Sequence, residues 1–191
     1  MEIEKTKLDG VFVLKPNVFK DERGYFVETY QKKLFDELLG QKINFVQDNE
    51  AKSEYGVMRG LHFQEPPYTQ AKLIRAINGA IIDVIVDIRT DSETFGEMLI
   101  IKLDDVEKKQ LFIPRGFAHG YVAIENETVM HYKVDNYYAP AFESGILFGS
   151  MEINFREEIG YEEFTVSEKD EKWKPFTDVV FYKSCEYILN C

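Results

Sequence analysis

The sequence predicts a mainly β protein, an antiparallel barrel or two-sheet jelly roll with few short helices. Two observations carry this reading. From about residue 72 onward, short β-rich runs follow one another with only close turns between them, and a single segment, residues 31 to 39, has a convincing helical period. A parallel α/β fold would need crossover helices that the chain lacks.

Each element has its own signal. Residues 8 to 14 and 25 to 30 are rich in β-formers and bracket the turn-like stretch Lys20 to Gly24, so they read as two strands. In the helix, Leu34, Phe35, Leu38 and Leu39 fall on one face as core packing, and Gly40 supplies the stop. Ala80 to Ile88 is long, β-branched and too apolar for an edge strand. Further runs at 97 to 103, 110 to 113, 120 to 124 and 128 to 134 complete the strand series. The end of the chain, residues 181 to 191, has weak periodicity and reads as a tail, packed on the barrel or loose.

Length and composition bound the rest. A chain of 191 residues with 45% apolar content fits one domain over residues 1 to 191. The formal charge of −11 argues against general nucleic-acid binding, which needs a positive field toward the phosphates. No run reaches the roughly 18 apolar residues of a membrane span, and the N-terminal residues carry no stretch of signal-peptide character. The expectation is a cytoplasmic protein without membrane contact. Cys185 and Cys191 fit neither a disulfide framework nor a metal motif, and are expected as reduced tail thiols.

The chemistry concentrates in two segments, Val57 to Gln64 and Ile113 to Gly120, which hold two of the three histidines, His62 and His119, among glycines. Arg59 precedes His62 by three residues and Lys72 follows it by ten. A proton-transfer group beside fixed cations points to an enzyme acting on an anionic substrate. Read singly, each residue has a plain alternative. A barrel histidine can be a hydrogen-bonded core residue, Tyr132 can pack with its hydroxyl at the rim, and Asp170 can cap a turn.

Pro114, Gly116 and His119 resemble the second motif of the cupins. Metal-binding cupins pair that histidine with a His-x-His and a glutamate from the first motif. Here the first motif has only His62, with Gln64 where a second histidine would stand, and His131 lies too far along its own strand. The expectation is a metal-free cupin; a metal-dependent cupin would instead use His62 and His119 together.

A larger set of motifs lies in register from about residue 5 to about residue 178. It comprises Asp21 to Phe26, Val46 to Asn49, Arg59 to Gln64, Asp83 to Arg89, Phe117 to Gly120, Tyr132-Lys133 and Ser167 to Asp170. Together they closely resemble the dTDP-4-dehydrorhamnose 3,5-epimerase family. That resemblance implies a jelly-roll homodimer that inverts C3 and C5 of dTDP-4-dehydro-6-deoxy-D-glucose without metal or cofactor. It implies that His62 is the base, paired with Asp170, that Lys72 stabilises the enolate, and that Tyr132 is the acid on the opposite face. It places Arg59 and His119 at the sugar and diphosphate and Lys169 near the nucleotide. Arg23, Glu28, Gln47, Asp48 and Asn49 would line the substrate site, partly from the neighbouring subunit, with Phe26 and Tyr138 flanking base and sugar and Glu143 a further contact.

The chain departs from that family in the segment Ile146 to Arg156, which lacks the usual tryptophans, aspartate and proline, and at Ala71, where a glycine usually precedes the lysine. An epimerase of C3 alone or C5 alone, or one acting on another nucleotide-linked 4-keto sugar such as a GDP-linked heptose, stays open. A non-catalytic nucleotide-sugar-binding cupin is the alternative from another class.

Overall fold

The computed structural model describes residues 1–151 and 163–188. Two antiparallel sheets face each other as a jelly roll. The six-stranded sheet runs β1 (Glu2–Lys5), β2 (Phe12–Lys15), β10 (Gln110–Ile113), β7 (Lys72–Asn78), β12 (Thr128–Val134), β5 (Gln47–Ser53). The five-stranded sheet runs β13 (Glu143–Gly145), β6 (Met58–Gln64), β11 (Phe117–Ala123), β8 (Ala80–Asp87), β9 (Met98–Asp104). A separate hairpin pairs β3 (Val18–Asp21) with β4 (Gly24–Val27).

The main core lies between the sheets, where Val13, Ile74, Ile81, Ile85, Leu103, Leu111 and Tyr121 pack together. Strand alternation sends Val84, Val86, Ala118 and Val122 to the other side of the five-stranded sheet. There they meet Ile146, Phe148 and Tyr187. Burial on both faces explains why Ala80 to Ile88 carries no exposed polar stripe. The helix α1 (Lys32–Leu39) covers the outer side of the six-stranded sheet, with Phe35 buried against Leu14, Leu73 and Phe112. Its stop is Gly40, at φ 68.

The strands expected at 8 to 14 and 25 to 30 are shorter, at 12–15 and 24–27, because Leu8 and Val11 enter the core from a turn rather than a ladder. The tail is packed as far as it is described. A short helix α2 (Ser184–Ile188) buries Tyr187, whose hydroxyl donates to the Ile88 carbonyl at 3.3 Å, while Thr69 donates to the Tyr187 carbonyl at 2.5 Å. The expectation of reduced thiols is corrected at Cys185, which is disulfide-bonded. Spacing and number alone do not set the redox state of a cysteine. Cys191 lies outside the described residues. No helix among the described residues is long and apolar enough to cross a membrane.

Candidate active site

The inner face of the barrel turns polar at one end. His62, from β6, and His119, from β11, are opposite each other in the β6–β11 ladder, and the ladder slips register just beyond them. Gly60 and Gly120 make this crossing possible. A Cβ on Gly60, at φ +107, would sit 2.7 Å from the Gly120 Cα, and one on Gly120 would sit 2.6 Å from the Arg59 carbonyl oxygen. Lys72, Met130 and Tyr132 reach the same space from β7 and β12 of the facing sheet, where Tyr132 pairs with Asn49 of β5. Arg59, His62, Lys72, His119, Tyr121 and Tyr132 thus line one pocket.

His62 Nε2 lies 2.5 Å from Asp170 Oδ1. A carboxylate at Nε2 makes that nitrogen the donor, which leaves Nδ1 as the free base. Asp170 is buried, which alone would raise its pKa, but bonds from His62, the Gly60 amide and Trp173 hold the carboxyl below its usual range. Lys72 is pushed down to about 8 by burial, against the pull of Asp83 and Glu143. Burial raises the Tyr132 phenol, which keeps its proton at neutral pH.

His119 is paired in the same manner, Nε2 to Asp83 Oδ1 at 2.6 Å. Burial lowers its pKa in spite of that carboxylate, so the ring is neutral near pH 7. The second carboxylate oxygen of Asp83 is buried without a hydrogen-bond partner. Arg59 is held from β5, donating to Ser53 Oγ at 3.2 Å and to the Lys52 carbonyl at 3.1 Å, and Ser53 also bonds the Tyr121 hydroxyl at 3.0 Å.

A second patch borders His62. Lys169 pairs with Glu143 at 2.5 Å, and the Tyr138 hydroxyl donates to the same carboxylate. Burial alone would raise Glu143, yet these two donors hold it below its usual value. Lys169, Asp170, Arg59 and His62 line a cleft floored by Val57, Thr165 and Val166. Gln64, standing where a cupin could place a metal ligand, has its amide fully engaged. It donates to the Tyr68 and Tyr137 carbonyls at 2.5 and 3.2 Å and accepts from the Ala139 amide at 2.6 Å.

The fold does not bring every expected residue to this place. Gln47 and Asn49 face inward and bond each other at 2.8 Å. Asp48 faces the other side of the sheet in its own chain: consecutive strand residues point to opposite faces, and it pairs on the outer face with Lys133 at 2.9 Å, with His131 at 3.7 Å. Arg23 and Phe26 line a different cleft on the β3–β4 hairpin, Arg23 exposed and bound to Asp21, and Glu28 lines a neighbouring one. Of the departing segment, Ile146 and Phe148 are buried, and residues 152 to 156 lie outside the described residues.

Three polar or aromatic residues at the site carried no sequence signal of a role: Ser53, Tyr121 and Trp173. Asp83 opens one of the motifs in register and interrupts an apolar run on its inward-facing parity, which is the trace a buried functional carboxylate leaves.

Known proteins resemble this chain over most of its length. The sequence model of the dTDP-4-dehydrorhamnose 3,5-epimerase family matches residues 5–178. The dTDP-4-dehydrorhamnose 3,5-epimerase of Shigella flexneri is 42% identical, over 95% of this chain and 99% of its own. That of Methanothermobacter thermautotrophicus is 44% identical, over 93% and 96%. The crystal structure of the Legionella pneumophila dTDP-6-deoxy-D-glucose-3,5-epimerase, in complex with dTDP-4-keto-L-rhamnose, superposes with a TM-score of 0.90 at 36% identity, covering 95% of this chain and 97% of that one. Jelly roll, motif register and paired histidines lead to one conclusion: the chain is an isomerase of the dTDP-4-dehydrorhamnose 3,5-epimerase family.

Proposed function

We propose that the chain inverts C3 and C5 of dTDP-4-dehydro-6-deoxy-D-glucose with His62 as base and Tyr132 as acid. The observation that carries this is their placement on opposing sheets of one pocket, so that a sugar ring between them is addressed on both faces. His62 Nδ1 takes the proton from the carbon beside the ketone, and the electrons of that C–H bond move into the C4 carbonyl as an enolate. The Lys72 ammonium stabilises the developing oxyanion. Asp170 keeps the imidazole in the required tautomer and steadies the cation formed. Tyr132 returns a proton from the other side, which inverts the centre.

Arg59 and His119 hold the sugar and diphosphate in this reading, and Tyr138, Glu143 and Lys169 border the nucleotide. Arg23, Phe26 and Glu28 belong to the site of a second copy in a homodimer, since their hairpin lies outside the His62 pocket of its own chain while exposing Phe19, Tyr25 and Phe26. Asp48 has no place in the site of its own chain. The reaction is expected in the cytoplasm, where nucleotide sugars are made.

The test is proton NMR of dTDP-4-dehydro-6-deoxyglucose with the protein in deuterium oxide, coupled to a reductase that traps the L-configured product. Deuterium at both C3 and C5 with trapped product supports the double inversion. Exchange at one carbon marks a single-site epimerase, and no exchange defeats the reading for this substrate.

A further inference from the structure

The chain has one tryptophan, and it stands on the proposed base. Trp173 Nε1 donates to Asp170 Oδ1 at 3.1 Å, the same oxygen that His62 Nε2 approaches at 2.5 Å. The indole meets the His62 ring edge-on, with centroids 6.0 Å apart and planes at 72°. It occupies this position because Gly145, the ladder partner of His62 on β13, has no side chain. A Cβ on Gly145 would lie 2.5 Å from Trp173 Cε2, inside any tolerable contact.

From these contacts we infer that Trp173 is a positioning residue for the reaction, which fixes the Asp170 carboxylate, and through it His62, in a space that Gly145 leaves open. The inference rests on the reading of His62 and Asp170 as the base pair. A carboxylate free to rotate about its terminal bond could offer His62 either oxygen. The indole N–H anchors one of them, and the Gly60 amide stands 3.4 Å from the other. The other charged or titratable groups around the histidine are Arg59, Lys72, His119, Tyr132, Glu143 and Lys169. Of these, Lys169 also stands over the indole, its Nζ 5.7 Å from the ring centre.

Trp173→Phe retains an aromatic ring and removes the N–H. The expected result is kcat lower by roughly three- to tenfold with a KM within about twofold. A lower melting temperature with an unchanged kcat would reduce Trp173 to packing and overturn the inference. Gly145→Ala should give the same kinetic change with the tryptophan present. The two substitutions together should cost no more than either alone, and additive losses count against a shared device.

If His62→Ala retains epimerase activity, the base assignment itself fails. If His62→Ala is inactive while Trp173→Phe has an unaltered kcat, only the role of Trp173 fails.

Discussion

Asp83 and His119 form a second histidine–carboxylate pair, 2.6 Å apart, on adjacent strands of the sheet that carries His62. Its carboxylate also acts on Lys72, one of two acidic groups that oppose the downward push of burial on that ammonium. Asp83→Asn removes this support. The Lys72 pKa should then fall further below 8, and the alkaline limb of kcat should move to lower pH with it. A pH–rate profile from 6 to 9.5 checks this, and an unmoved alkaline limb would separate Asp83 from Lys72 function.

His62→Ala and Tyr132→Phe should fail in different ways. Loss of the imidazole removes the base, so exchange and inversion should both fall by about 10² to 10⁴, with the fold and dTDP affinity retained. Loss of the Tyr132 hydroxyl leaves His62, Asp170 and Lys72 in place. Solvent deuterium should still enter on the His62 side while trapped product falls by a similar factor. Undiminished inversion in Tyr132→Phe would remove that residue from the acid role.

Arg23 gives a test of subunit sharing. Arg23→Ala and His62→Ala are each expected to be inactive alone. If the site takes Arg23 from the neighbouring copy, a mixed dimer of the two variants rebuilds one site with both groups intact and one with neither. Random reassociation makes half the dimers mixed, so about a quarter of the original activity should return. No recovery after mixed refolding would place Arg23 with the His62 of its own chain.

The parts of the architecture legible from sequence were those whose residues obey one local rule. Ala80 to Ile88 is apolar because both faces of its sheet are covered, and the stripe of the 32–39 helix ends at a left-handed glycine, so each could be read alone. Strand β5 could not. Gln47 to Ser53 is polar but for Ala51, since its inner side chains face the pocket and its outer ones face solvent, and such a run carries no hydrophobic period. The site divides in the same way. His62, Tyr132 and Asp170 stood out through motif register, and Lys72 through the family resemblance those motifs carry. The pairing of Asp83 and the place of Trp173 did not, because they lie in ring and carboxylate contacts between distant segments: Asp83 to His119 spans 36 residues, and Gly145 leaves the space that Trp173 fills.

Lys72→Met should trade activity for stability, and the pH dependence fixes the sign. The folded protein holds this ammonium at a pKa of about 8, below the ordinary lysine value of 10.5. Between those values the unfolded chain binds more protons than the folded one, so the unaltered protein gains stability as pH rises through that window. Below pH 8 the full penalty of a charge in a partly dehydrated pocket is present. Methionine has similar length and no charge, so Lys72→Met should be more stable at pH 7 by on the order of 1 to 3 kcal/mol. The difference should shrink from pH 8 upward, while turnover is lost because the enolate has no ammonium beside it. Urea denaturation at pH 7 and pH 9.5 measures both points. A variant no more stable than the original at pH 7 would mean that the free enzyme does not dehydrate this ammonium, and Lys72 could then not set the alkaline limb near 8.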